Sequence, residues 1–179
     1  TFDNLVKERK DTPFGIIHLA THGQFLPGKL SNSYIQLADK RLGLNQLRQL
    51  GWANPPVELV VLSACEMAVG DDNAELGFAG FAVKAGAKSA LASLWSVSDE
   101  GTAGLMAEFY EQLWKQPVKS EALRQAQRAM ISGKVRIENG QLIWSGGAVA
   151  LPPELADRSN QDLSHPYYWS TFTLIGSPW

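Results

Sequence analysis

Three apolar runs of strand length constrain the fold of this chain more than any other feature. They are FGIIHLA at 14–20, VELVVLS at 57–63 and KSALASLW at 88–95. The first run does not alternate with polar residues and the other two share its character, which is typical of strands buried on both faces in a parallel sheet. Helical patterns separate and follow the runs. Because strands that alternate with helices build βαβ units, we predict an α/β sandwich with a mostly parallel central sheet, forming one domain.

The rest of the chain supplies helices, a hairpin and one irregular stretch. Helical patterns are found at 3–10, 43–50, 75–87, 99–114 and 119–132. Gly86 is expected to close the third of these helices as a C-cap. Residues 33–44 predict two short strands that turn at Asp39–Lys40, and residues 167–176 predict a final strand. Residues 134–164 are rich in glycine and proline and are expected to be irregular.

Composition excludes several classes of protein. The 179 residues are enough to bury a core without a disulfide, and the single cysteine fits a reducing compartment, which favours the cytoplasm. The net charge of −2 gives no reason to expect nucleic acid or an anionic membrane as a partner. No apolar run approaches the ~20 residues of a membrane span, and no signal peptide opens the chain. Because the chain begins at Thr1 without a methionine, we expect it to be a piece of a longer protein.

Two loops that follow predicted strands carry side chains suited to catalysis. The first strand runs into THGQF, which contains His22, and the second runs into ACEMAVG, which contains Cys65. Parallel sheets bind ligands beyond the carboxyl ends of their strands. We therefore expect His22 and Cys65 to lie at the same edge of the sheet.

This pair of residue types is the minimal apparatus for attack on a carbonyl. A thiol with a reference pKa of about 8.5 is mostly protonated near neutral pH, and a neighbouring imidazole activates it. The same imidazole can then give its proton to a leaving amine. The backbone N–H groups of Gly23 and Cys65 are the natural donors to an oxyanion.

Other interpretations of these residues remain open at this point. A lone cysteine is often a buried, inert thiol. His18, four residues before His22, is expected to be a hydrogen-bonded core histidine, and His165 is expected to be structural or on the surface. A metal site formed by His18, His22 and Cys65 is conceivable, but HLATH lacks the glutamate of a zinc-binding helix. The sequence contains no nucleophile elbow, no P-loop and no dinucleotide-binding glycine motif.

Four blocks of the sequence resemble one known family, the CHAT domain. They are HLATHGQF, ELVVLSACEMAVG, GFAVKAGAKSALASLWSV and HPYYWSTFTLIG, and together they cover nearly the whole chain. The CHAT domain is a caspase-like module related to separases, in the clan of caspases, gingipains and legumains. The resemblance implies that residues 1–179 form a caspase-hemoglobinase-like α/β/α sandwich. Because such domains usually have further strands upstream, it also implies that this chain is the C-terminal, catalytic portion of the domain.

The resemblance also implies a mechanism and a setting. His22 is then the base and Cys65 the nucleophile, with the Gly23 and Cys65 amides as the oxyanion hole and His18 outside the dyad. The implied reaction is peptide-bond cleavage through a thioester, without a metal or other cofactor. The implied partners are a protein or peptide substrate and an N-terminal helical-repeat domain of the TPR type or an activator that gates the protease. Many members of the family are bacterial.

Departures from the family pattern bear on substrate specificity. Separases have an aspartate after Leu-Trp that contributes to an arginine-selective pocket, whereas this chain has Ser96 there. Asp99, three residues on, is a candidate for the missing charge, or else an acid at a helix N-terminus. Asp71 and Asp72 follow the cysteine in a region that is a mobile loop in caspase relatives and would otherwise be a solvated turn. These four residues are the candidates for a substrate pocket.

The sequence therefore supports two hypotheses of different classes. The first is a cysteine endopeptidase with a Cys65–His22 dyad. The second is a caspase-fold module that acts in signalling or interaction with little or no turnover, because an intact dyad is necessary for cleavage and not sufficient.

Overall fold

A computed structural model describes residue 4 and residues 14–24, 32–63, 77–95, 98–152 and 160–179, without the side chains of Asn45 and Arg48. The described elements, in chain order, are β1 (Ile16–Leu19), β2 (Gly23–Gln24), β3 (Tyr34–Gln36), β4 (Arg41–Gly43), a 3-10 helix (Leu44–Leu50), β5 (Leu59–Leu62), α1 (Gly77–Lys84), β6 (Ser89–Ser93), α2 (Asp99–Lys115), α3 (Lys119–Ile131), β7 (Arg136–Glu138), β8 (Gln141–Trp144), β9 (Gly147–Ala150), β10 (Asn160–Asp162), α4 (Pro166–Trp169) and β11 (Phe172–Gly176). The chain divides into two compact units. The first unit holds the elements through β6 together with β11, and the second unit holds α2 to α4.

The central sheet of the first unit has the strand order β1–β5–β6–β11. The first three strands are parallel, with Ile16 opposite Leu59 and Val60 opposite Ala90. β11 is antiparallel to β6, with Gly176 opposite Ser89. The predicted α/β fold class with a mostly parallel central sheet is confirmed.

Burial differs among the three parallel strands. Every residue of β5 and of β6 is buried, as expected for strands in the middle of such a sheet. β1 instead alternates between exposed and partly buried residues, and Ile16 is 42% exposed. The expectation that 14–20 is buried on both faces was therefore wrong. β1 is at the edge of the described sheet, where one flank has no neighbouring described strand to cover it.

The predicted hairpin and short helix between β1 and β5 are both present. β3 and β4 pair in antiparallel fashion, and with β2 they form a small three-stranded sheet. The helix that follows is a 3-10 helix, in which residues three apart lie on the same face. The spacing of Leu44, Leu47 and Leu50 matches that period, and all three side chains are buried in the core of the first unit.

The second unit corrects the expectation for 134–164. Where an irregular stretch was predicted, β7, β8, β9 and β10 form a four-stranded antiparallel sheet in the order β10–β7–β8–β9. Asn139 and Gly140 connect β7 to β8 with φ values of 52° and 71°. Two residues with positive φ make the tight turn typical of a β-hairpin, and Asn-Gly is its strongest sequence signal. The glycine content marked turns rather than absence of structure.

The predicted final strand is also shorter than expected. Residues before β11 form the short helix α4, for which His165 is the N-cap and Pro166 the first residue. Proline favours this position because its fixed φ suits a helix and its missing N–H would have no helical partner. Only Phe172–Gly176 of the predicted 167–176 is a strand.

Glu108 connects α2 to the turn between β8 and β9. Its side chain is buried, with 1% exposure. The carboxylate accepts hydrogen bonds from Ser145 N at 2.8 Å, from Ser145 Oγ at 2.8 Å and from Gln112 Nε2 at 2.7 Å. A buried carboxylate is tolerated where donors satisfy it in this way.

Among the described residues, no helix has the length and apolar character needed to cross a bilayer.

Candidate functional site

The candidate site is built on the carboxyl ends of β1 and β5. These two strands are parallel neighbours, and their last paired residues are Leu19 and Leu62. His22 follows β1 and precedes β2, and Ser63 directly follows β5. The predicted parallel pairing of these two strands is confirmed, whereas the expectation that His22 and Cys65 lie at the same edge of the sheet stays a prediction. Cys65, two residues after Ser63, lies outside the described residues.

The backbone of His22 is held by β3. Gln36 N donates to His22 O at 2.8 Å, and Thr21 Oγ1 donates to Gln36 O at 2.5 Å. The Gln36 side chain also donates to Leu37 O at 2.8 Å, which ties it to the turn after β3. The His22 imidazole itself is exposed. This arrangement fixes the histidine backbone and leaves the ring accessible, as a general base requires.

The Gly23 backbone N–H points away from the neighbouring strand. Gly23 lies opposite Ile35, and the bond from Gln36 N to His22 O makes this a non-hydrogen-bonded pair. In such a pair the N–H and C=O of both residues face outward from the ladder. Gly23 N–H is therefore directed to the edge of β2 opposite β3, where it can donate to another group.

His18 bonds to the end of β5. His18 Nε2 and Ser63 Oγ share a hydrogen bond of 2.9 Å. Partial desolvation lowers the pKa of His18 below its ordinary value of 6.5, which favours the neutral ring. The side chain nevertheless lies on the exposed side of β1, so the expectation that His18 is in the core was wrong. The expectation that its ring is hydrogen-bonded is confirmed.

The candidates for a substrate pocket are mostly outside what the structure describes. Ser96, Asp71 and Asp72 lie outside the described residues. Asp99 is exposed and is the first residue of α2, where Ser98 Oγ caps the helix by accepting from Gly101 N at 3.0 Å. An acid here stabilises the helix dipole. The interpretation of Asp99 as a helix N-terminal acid is confirmed, and its role in a pocket stays a prediction.

The remaining histidine has a structural role. His165 caps α4, with Nδ1 accepting from Tyr167 N at 3.2 Å.

Within the described ranges, no three histidine, cysteine, aspartate or glutamate side chains are grouped so that they could hold a metal ion. No local pattern indicated the contacts that Gln36 and Ser63 make at the strand ends, because these contacts join residues 15 and 45 positions apart.

Comparison with known proteins gives one family. The family model described as the CHAT domain matches residues 1–177 of the 179 residues. No curated protein matches the chain. The matched range includes all four sequence blocks and both strands of the candidate site.

Proposed function

We propose that this chain, which belongs to the CHAT domain family, is a cysteine endopeptidase that cleaves protein substrates through Cys65 and His22. The parallel pairing of β1 with β5 supports the proposal most directly, because it puts the segments that lead to these two residues side by side. The family supplies the caspase-like, peptidase-related fold. The exposed His22 ring on a backbone held by β3 is suited to proton transfer.

In the proposed reaction, His22 takes the proton from Cys65 Sγ, and the thiolate attacks the carbonyl carbon of the scissile peptide bond. The oxyanion of the tetrahedral intermediate accepts hydrogen bonds from the N–H groups of Gly23 and Cys65. The intermediate collapses as the C–N bond breaks and His22 protonates the leaving amine. Water, deprotonated by His22, then attacks the thioester and releases the carboxylic acid and the free thiol.

The orientation of Gly23 supports its part in this scheme. Its N–H is directed away from β3, so the ladder of the small sheet does not consume this donor. A glycine also lets the substrate backbone approach closely. We further propose that an upstream helical-repeat domain of the TPR type gates the enzyme, and that it acts in a reducing cytoplasm without a metal cofactor.

The test is digestion of a peptide library by the full-length protein, with its upstream region and activator present. We expect cleavage by the wild type and none by Cys65→Ala or His22→Ala. His165→Gln is the matched control, because it replaces a histidine with a structural role at a helix N-terminus and should leave cleavage unchanged. Cleavage that persists in Cys65→Ala would rule out the proposal.

The pH dependence of Cys65 alkylation separates the enzyme from a silent module. Cys65 is the one cysteine of residues 1–179, so alkylation located within this range reports on this thiol. A thiol paired with an imidazole reacts well below the pH at which a free thiol does. A free-thiol profile in the activated protein, unchanged by His22→Ala, would favour a signalling or interaction module over a peptidase.

A further inference from the structure

We infer that His18 is a positioning residue for the nucleophile: its hydrogen bond to Ser63 fixes the end of β5 from which the chain continues to Cys65. The inference rests on the proposed function, because it assigns His18 a role in the same site. The bond of 2.9 Å between Nε2 and Oγ carries it.

The register explains how the two side chains meet. His18 lies opposite Val61, and side chains two residues apart point to the same face of a strand. Ser63 is therefore on the same face as Val61, one step further along the strand direction. The imidazole is long enough to span this diagonal, as its 2.9 Å hydrogen bond to the hydroxyl shows.

The hydrogen bond between His18 and Ser63 restrains the chain because it lies just beyond the end of the β1–β5 ladder. The paired residues of β1 and β5 end at Leu19 and Leu62, so Ser63 is the first residue beyond the parallel ladder. The bond from His18 continues the connection between the two strands by one residue after the backbone pairing ends. Because catalysis depends steeply on the placement of the reacting groups, restraint two residues before Cys65 is expected to affect its reactivity.

The location on the exposed side of β1 argues against a purely stabilising role. A hydrogen bond near solvent adds little net stability, since water replaces the lost partner when it breaks. His18 is an exposed residue of β1 and is not among the buried polar residues of the described chain. Water could replace the hydrogen bond to either side chain, but it could not hold Ser63 at a fixed distance from β1 as His18 does.

A double-mutant cycle tests the inference. The variants are His18→Phe, which keeps a ring without the nitrogen, Ser63→Ala, and the two combined, each in the full-length protein. The readouts are the rate of Cys65 alkylation by iodoacetamide from mildly acidic to mildly alkaline pH, and kcat/KM for a cleaved peptide. We expect each single variant to lower the alkylation rate at acidic pH about three- to tenfold, the range implied by loss of one hydrogen bond. The double variant should lose no more than the larger single loss.

Two further variants separate positioning from stability. Ser63→Thr keeps the hydroxyl and should restore most of the wild-type alkylation profile. Ser93→Ala is the matched control, because it removes the hydroxyl of a buried serine at the end of the neighbouring strand β6. It is expected to lower the melting temperature and leave the alkylation profile unchanged.

The outcomes distinguish this inference from the proposed function. If His22→Ala shifts the alkylation profile while folded His18→Phe and Ser63→Ala do not, the positioning role is wrong and the dyad stands. Losses that add in the double variant, or that Ser93→Ala reproduces, also overturn it. If His22→Ala leaves the profile unchanged and no cleavage occurs, the proposed function fails, and the role of His18 fails with it.

Discussion

Replacing Gly86 with alanine tests the close approach between the end of α1 and the segment before β5. Gly86 has a φ of 110°, a conformation that residues with a side chain rarely adopt. An added Cβ would lie 2.5 Å from the Cβ, 2.6 Å from the N and 2.7 Å from the Cα of Ala53. These atoms belong to the backbone or are rigidly attached to it, so they cannot move aside as the end of a long side chain does.

The expected loss of stability has two parts. Backbone strain in a sparsely populated φ region costs roughly 1–3 kcal/mol. Steric overlap in a well-packed region costs about 1–3 kcal/mol more. The sum is about 4 kcal/mol, and for a chain of 179 residues each kcal/mol lowers the melting temperature by roughly 2–4 °C. We therefore expect Gly86→Ala to melt about 10 °C below the wild type.

Gly51→Ala is the matched control for this prediction. Gly51 has a φ of 65°, and an added Cβ there would meet nothing within 4 Å. Its cost is the left-handed conformation alone, about 1–2 kcal/mol. Urea denaturation followed by tryptophan fluorescence measures both variants at a common m-value. If Gly86→Ala is no less stable than Gly51→Ala, the described approach of Ala53 to Gly86 is wrong.

Three further predictions concern buried or titrating groups. Because the pKa of His18 is lowered from 6.5, the folded protein binds this proton less tightly than the unfolded chain, so stability falls as the pH drops below 6.5. His18→Gln should show a smaller decrease in melting temperature between pH 8 and pH 5.5, and an equal decrease would contradict the assignment. Glu108→Ala removes the acceptor of both the Ser145 N–H and the Ser145 hydroxyl, so it should lower the free energy of unfolding by about 3 kcal/mol in urea denaturation. Ser145→Ala should lower it by about 1 kcal/mol, and equal losses would refute the described network. Burial raises the pKa of Tyr110 to about 12, so Tyr110→Phe should remove a late-titrating phenol from the absorbance titration; loss of an early one would count against this burial.

The central sheet was predictable from sequence because its signal is local. Each of the three apolar runs identifies a strand by itself, and the helices between them imply parallel pairing. The exposure of β1 was not predictable in the same way. It depends on which strands flank β1, and the composition of FGIIHLA carries no information about neighbours.

The second unit shows a local signal that composition concealed. Asn139-Gly140 is flanked by residues of strand character and is a strong indication of a hairpin. The abundance of glycine and proline across 134–164 led instead to the expectation of an irregular stretch. The Asn139-Gly140 dipeptide was a better guide to the structure than the overall glycine and proline content of the segment.

The candidate site was predictable in its residue types and only partly in its geometry. His22 follows its strand in the sequence, so its place at the strand end could be predicted. The bond from Gln36 to the His22 backbone and that from Ser63 to His18 could not. Both depend on the register between distant segments, which no local pattern specifies.

The antiparallel strand β11 has a consequence for the order of assembly. It completes the central sheet by pairing with β6, yet residues 97–171 of the second unit lie between these two strands in the chain. During synthesis, residues Ser89–Ser93 leave the ribosome long before Phe172–Gly176 can pair with them. Until then β6 presents an open hydrogen-bonding edge, which is a site for aggregation and for recognition by chaperones. The central sheet, whose strand β1 leads to His22, is therefore completed late in translation, and the protection of this edge depends on the emergence of β11.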